Sequence, residues 1–186
     1  CLDKLAASSD VPVLGVIEPG ARAAASATRN NRVGVIGTER TVKSRAYERT
    51  ISALNGQISV FSKACPLFVP LVEEGWLENE AAYVTAKIYL EPLMEQEIDT
   101  LVLACTHYPL LKPVIEQIMG QGVQVVDPAW ETAREVWQVL KDADLLREDN
   151  SPASHRYFVS DDPEKFARVG EKFLNRPIEP INVIRL

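Results

Sequence analysis

Cys105, Thr106 and His107 set a thiol, a hydroxyl and an imidazole in a row, directly after the apolar run Leu101-Val102-Leu103-Ala104. The run reads as a buried strand, and the C-terminal edge of an open α/β sheet is where ligands sit. Tyr108-Pro109 lead into a predicted helix whose first N–H groups can face an anion. A thiol beside an imidazole and a helix start is tuned toward ionisation, so Cys105 can serve as an acid/base or as a nucleophile. The plain alternative is a buried cysteine ending a core strand, the commonest fate of a free thiol. Thr106 offers a hydroxyl and an N–H to a carboxylate, or caps the helix. Thr38, after Gly37, closes a second apolar run and lies on the same sheet edge as Cys105.

The elements that must position these groups alternate between short apolar strands and amphipathic helices, the pattern of an α/β fold with parallel strands. Strands are predicted over Val13–Ile17, Val33–Gly37, Ile58–Ser62, Thr100–Ala104, Val123–Val126 and Arg156–Ser160. Helices are predicted over Leu2–Ala7, Ala21–Thr28 (with Pro19 at its opening), Val42–Leu54, Leu67–Glu74 and Glu78–Met94. A further helix runs from the cysteine loop to about Met119, another covers Glu131–Leu140, and a last one carries Phe166, Val169 and Phe173. Leu77, Ala81, Val84 and Ile88 mark one apolar face, and Ala129, Ala133, Val136 and Leu140 mark a buried stripe. The polar stretch Arg147–Ser154 reads as a loop.

Composition narrows the function. A chain of 186 residues with 46% hydrophobic content can bury a real core. A net charge of −6 without Lys/Arg runs argues against nucleic acid or an anionic membrane as partner. No apolar run approaches spanning length and no signal peptide is visible. Three irregularly spaced cysteines form neither a disulfide framework nor a metal knuckle, which fits free thiols in a reducing cytoplasm. No Gly-rich phosphate loop, His/Asp metal cluster or Gly-x-Ser-x-Gly elbow is present. Cys65, in a loop before Pro66, reads as structural, Glu18 as a helix N-terminal carboxylate and His155 as a surface residue. Thr41 reads as a helix cap.

Several segments together resemble one family. Cys105-Thr106-His107-Tyr108-Pro109-Leu110-Leu111 is similar to the second cysteine motif of the cofactor-independent glutamate racemases, Leu-Gly-Cys-Thr-His-Tyr-Pro-Leu-Leu, with Ala104 in place of Gly. Val16-Ile17-Glu18-Pro19-Gly20-Ala21, then Gly37-Thr38 with Thr41, and Cys65-Pro66-Leu67-Phe68-Val69-Pro70-Leu71-Val72-Glu73-Glu74-Gly75 resemble other segments of that two-cysteine aspartate/glutamate racemase family, in the same order. The resemblance implies two pseudo-symmetric three-layer α/β domains with mostly parallel sheets. By analogy Cys1–Ile17 is a remnant of the first domain, Glu18–Val126 is the second, and Asp127–Leu186 returns to the first.

The same resemblance implies the chemistry. Racemisation without a cofactor needs two opposed acid/base groups, because a single base tends to return the proton to the face it came from. Cys105 is implied as the group serving the L-glutamate face, with His107 and Glu73 assisting it. Thr106, His107 and Thr38 are implied as substrate contacts. Glu73 and Glu74 are adjacent and point in different helical directions, so one of them faces the cleft. The family's first cysteine motif, Ala-Cys-Asn-Thr-Ala, does not occur; Cys1 precedes Leu2-Asp3 and reads as a helix packing residue. The expectation is therefore a partial chain, inactive and poorly soluble alone. Its intact form would be a cytoplasmic homodimer making D-glutamate for peptidoglycan, with no metal and no cofactor. Three competing readings stand beside it: an aspartate racemase, a non-catalytic family fragment that binds an acidic ligand, and a thiol hydrolase built on Cys105 and His107.

Overall fold

The computed structural model describes residues 2–147 and 151–185. Cys1 and part of the loop expected over Arg147–Ser154 therefore lie outside the described residues.

The main sheet forms from β1 (Arg32–Gly37), β2 (Ser59–Ala64), β3 (Thr100–Ala104) and β4 (Gln124–Val126), in the spatial order β2-β1-β3-β4. All pairings in it are parallel. β1 and β3 are covered on both faces, so nearly every residue in them is apolar or Gly. Val33, Val35 and Val102 face a layer built from α2 (Ile17–Ala27) and α4 (Ala46–Leu54). Ile36, Leu101 and Leu103 face the opposite layer, α5 (Phe68–Glu74), α6 (Glu80–Met94) and α7 (Lys112–Met119). Gly34 is required by close approach: a Cβ there would stand 3.0 Å from Leu101 Cδ1 and closer still to Ile98.

The β1-to-β2 crossover thus runs on one face and the β2-to-β3 crossover on the other. The direction in which strands are added to the sheet reverses between β1 and β3, the arrangement that opens a crevice at the strand C-termini. Gly37 pairs with Ala104, so the next residues, Thr38 and Cys105, leave the sheet side by side.

Beyond β4, α8 (Pro128–Asp142) packs on α2. β5 (Tyr157–Val159), α9 (Pro163–Leu174) and β6 (Ile181–Val183) then form a small parallel βαβ unit, and α9 rests on α5. β6 was not foreseen, because three residues beside Pro180 give too little alternation to read.

Four expectations are corrected. Val13–Ile17 is not a strand; no strand among the described residues pairs with it, and α2 already starts at Ile17 with Pro19 in its first turn. An unpaired strand leaves its N–H and C=O groups without partners, which is why the apolar run alone did not suffice. The helix expected over Val42–Leu54 is two helices, α3 (Glu39–Ser44) and α4, broken at Arg45 in the left-handed region (φ 52). Arg45 donates its backbone N–H to the Val42 carbonyl and its side chain to Glu48.

The face Ala81, Val84, Ile88 of α6 points outward, while Ala82, Ala86, Leu90 and Leu93 are buried. Asn79, accepting from the Ala82 N–H at 2.9 Å, fixes where the helix starts, but periodicity could not choose between two apolar faces. Most of the expected stripe on α8 is also turned out: Ala129, Ala133 and Val136 are exposed and only Leu140 is partly buried, with Trp130 71% and Trp137 51% exposed beside them. Pro128, Thr132 and Val139 lie on the inner side instead, together with Glu135, which pairs with Arg22. No helix among the described residues is long and apolar enough to cross a membrane.

Candidate active site

β3 delivers Cys105 to the crevice half-buried, and the chain then turns into a short 3₁₀ segment, Tyr108–Leu111. That turn is anchored from below. Tyr108 is fully buried and donates its hydroxyl to the Cys65 carbonyl at 2.8 Å, and Phe68 stands edge-on to its ring at 5.1 Å. The tight turn places two backbone amides at the thiol. Burial raises the Cys105 pKa above the usual thiol value, and the N–H groups of His107 and Tyr108 act against that rise. Cys105 is therefore a thiol at neutral pH with a built-in means of stabilising its thiolate.

His107 follows two residues on, its side chain about a quarter exposed, with Nε2 3.6 Å from Glu73 Oε1. That separation is too long for a hydrogen bond, and the pair becomes an ion pair only when the imidazole is protonated. Glu73 reaches the site from the last turn of α5, while Glu74 turns to an apolar pocket with Leu67, Leu71 and Trp76. Of the two adjacent carboxylates, Glu73 alone meets His107. Thr106 is exposed, its hydroxyl 3.4 Å from His107 Nδ1; it does not cap the 3₁₀ turn. At the neighbouring strand end Thr38 caps α3, accepting from the Thr41 N–H at 3.2 Å. The cap is Thr38 rather than Thr41, whose own hydroxyl is 3.0 Å from that of Thr38. The Thr38 O–H still has a free choice of acceptor, Thr41 or a ligand.

Sequence reasoning missed Lys165. It comes from α9 and its Nζ lies 2.8 Å from Glu73 Oε2, so Glu73 bridges a lysine and a histidine. No local pattern marks a lysine on an amphipathic helix as the partner of a carboxylate so far away in sequence. Glu18 pairs with Arg22 at 2.6 Å in the first turns of α2, and exposed His155 stacks on Tyr157, both away from Cys105. A groove of about 1150 Å³ between α2 and α8 is lined by none of the site residues. It is an open trough beside Trp130 and Trp137, and its carboxylates Glu131 and Glu135 are paired with Arg134 and Arg22. Among the described residues no cluster of His, Cys, Asp or Glu could hold a metal ion.

Cys65 is fully buried in the core, its thiol directed at the Lys63 carbonyl, and burial pushes its pKa up to about 12. A thiol raised above its unfolded value of 9.0 stabilises the fold fully below pH 9.0 and loses that contribution as pH climbs toward about 12. Unfolding free energy is expected to fall with pH in this window by up to ~1.4 kcal/mol per pH unit more than in Cys65→Ala. Urea midpoints at about pH 8 and about pH 10 for both proteins check this, and parallel losses would contradict it.

The chain is similar to known proteins along its whole length. The Asp/Glu/Hydantoin racemase family model matches residues 1–136. The chain is 51% identical over 185 residues to the glutamate racemase of Geobacter metallireducens, covering 100% of this chain and 68% of that protein. A crystal structure of a glutamate racemase isoform from Bacillus anthracis superposes with a TM-score of 0.92 at 36% identity, over 100% of this chain and 69% of that one. The glutamate racemase of Francisella tularensis, solved with D-glutamate, gives a TM-score of 0.88 at 33% identity, over 98% and 67%. The chain spans about two thirds of the length of these relatives.

Proposed function

We propose, for a chain that belongs to the Asp/Glu/Hydantoin racemase family, that it carries the L-face half of a glutamate racemase, with Cys105 as the acid/base. In the L-to-D direction the Cys105 thiolate takes the Cα proton and becomes a thiol. The electron pair moves into the α-carboxylate, and an acid on the opposite face returns a proton to Cα. In the reverse direction Cys105 starts as the thiol and gives its proton. The amides of His107 and Tyr108 favour the thiolate, and the His107 imidazole, carried by the same turn, can hold or return a proton. Thr38 and Thr106 offer hydroxyls to the substrate carboxylates.

The observation that carries this reading is the exit of Thr38 and Cys105 from adjacent strands at the switch point, with the His107 and Tyr108 amides at the thiol and Glu73 facing the His107 imidazole. Glutamate, rather than aspartate, is supported by the identity to glutamate racemases along the whole chain. A cofactor-free two-base reaction needs a second group, and Cys65 is sealed in the core. That group is assigned to the third of the relatives' length that this chain does not span. The outward apolar face of α8 supports the division at Val126/Asp127, as a surface on which such a part would pack. The D-glutamate produced would enter peptidoglycan synthesis in the cytoplasm, where Cys105 stays reduced.

Deuterium incorporation tests the reading. In deuterated buffer the chain alone is expected to form no D-glutamate from L-glutamate. A protein of the relatives' full length is expected to form D-glutamate labelled at Cα while early recovered L-glutamate stays unlabelled. Inversion by the chain alone would place the second base among these residues, and equal early labelling of both enantiomers would replace two bases with one.

A further inference from the structure

The ion pair between Lys165 and Glu73 ties the small C-terminal βαβ unit to the site through one carboxylate. Glu73 offers two oxygens: Oε2 receives the Lys165 ammonium at 2.8 Å, and Oε1 faces His107 Nε2 at 3.6 Å. The better contact belongs to the lysine. Its ammonium is correspondingly held in the charged form, first by the hydrogen bond to Glu73 and then by that residue's charge. The carboxylate beside the imidazole is thus already shared, and cannot give its whole field to His107.

We infer that Lys165 is a positioning residue, which holds the Glu73 carboxylate against His107 and so fixes the setting of the imidazole. This rests on the proposed role of His107 at the Cys105 site, and concerns the placing of groups in that same site. Lys165 takes one carboxylate oxygen and leaves the other aimed at Nε2. Without the lysine, Glu73 loses the contact that holds it there, and its distance to the imidazole is no longer fixed.

The surroundings isolate this effect. On α9, Asp162 and Arg168 act on Lys165 with opposite signs, and the Lys172 side chain lies against Gly75 at the end of α5. On α5, Glu74 faces the other way, into the pocket beside Trp76. From α6, Tyr89 presents its hydroxyl to the Leu67 amide instead of to the site. On the Cys105 side the Thr106 hydroxyl stands 3.4 Å from Nδ1, and the His107 backbone amide is turned to the thiol. Glu73 and Lys165 are therefore the charged side chains that bear most directly on the imidazole.

The chain has two histidines, so its imidazole NMR spectrum has two signals to follow, and His155 serves as the internal control. At one fixed pH the His107 ring signals are expected to shift in Lys165→Met, with those of His155 unmoved. Lys165→Arg is expected to restore the original positions. In a Glu73→Gln background the shift produced by Lys165→Met is expected to shrink to a fraction. His107 ring signals unchanged in Lys165→Met, with Lys165→Arg folded and alike, overturn the proposal. So does a shift of full size in the Glu73→Gln background, since the lysine would then act without the carboxylate. These spectra need no turnover. A positive result beside an inactive full-length protein would sink the racemase reading while leaving the Lys165–Glu73–His107 coupling intact.

Discussion

Cys105→Ala, introduced into a protein of the relatives' full length, is expected to lower glutamate racemisation by roughly 10²–10⁴-fold in both directions, the range for loss of a positioned acid/base. Both directions fall together because, in the proposed reaction, the same sulfur removes the proton in one and supplies it in the other. Solvent exchange should separate the two faces. With Cys105 gone, L-glutamate is expected to lose its means of exchanging the Cα proton. D-glutamate is expected still to lose and regain its own at the opposite group, without inversion. Binding of glutamate is expected to change little, since the proposed carboxylate contacts Thr38 and Thr106 remain. The measurement is Cα deuteration of each enantiomer together with the rate of inversion. Wild-type inversion, or faster exchange of L- than of D-glutamate, would remove Cys105 from its assigned role. A thiol hydrolase would differ at the first step, by accumulating a thioester on Cys105.

The fold was legible in the sequence wherever burial on both faces left a continuous apolar run. Leu101–Ala104 and Val33–Gly37 gave β3 and β1 nearly to the residue, and their ends gave Cys105 and Thr38. Helix existence was readable as well, but helix phase was not. On α6 two apolar stripes lie one residue apart, and the packing of Leu90 and Leu93 beneath the sheet decided between them. On α8 the apolar side was readable, yet that side faces outward here. The Val13–Ile17 error has the same root, since a strand depends on a neighbour that its own residues cannot specify. Within the site, the Cys105–His107 grouping is local and was visible. The meeting of Glu73 with Lys165 depends on how α9 docks on α5, and no spacing in the chain encodes that directly.

Phe68→Ala is expected to cost about 3–5 kcal/mol of unfolding free energy, the range for truncating a buried phenylalanine. Phe68 is fully buried at the start of α5 and meets two rings edge-on, Tyr89 at 5.3 Å and Tyr108 at 5.1 Å. Its loss opens a cavity and removes both aromatic contacts, each worth ~0.5–1.5 kcal/mol beyond the area they bury. Tyr108→Phe is the smaller change, about 1–3 kcal/mol, because it keeps the ring and leaves the Cys65 carbonyl without its donor. The ordering follows from volume against a single hydrogen bond. Urea unfolding with an unchanged slope would measure both, and a Phe68→Ala loss below about 1 kcal/mol would contradict the packing argument. The effect should reach the chemistry by a short path. Phe68 holds Tyr108, and the Tyr108 amide acts on the Cys105 thiol in the turn that carries His107. Loosening that turn weakens both the burial that raises the thiol pKa and the amide contacts that oppose it. Alkylation of Cys105 in Phe68→Ala is therefore expected to be faster under native conditions than in Tyr108→Phe, while Cys65 stays protected in both until the protein unfolds.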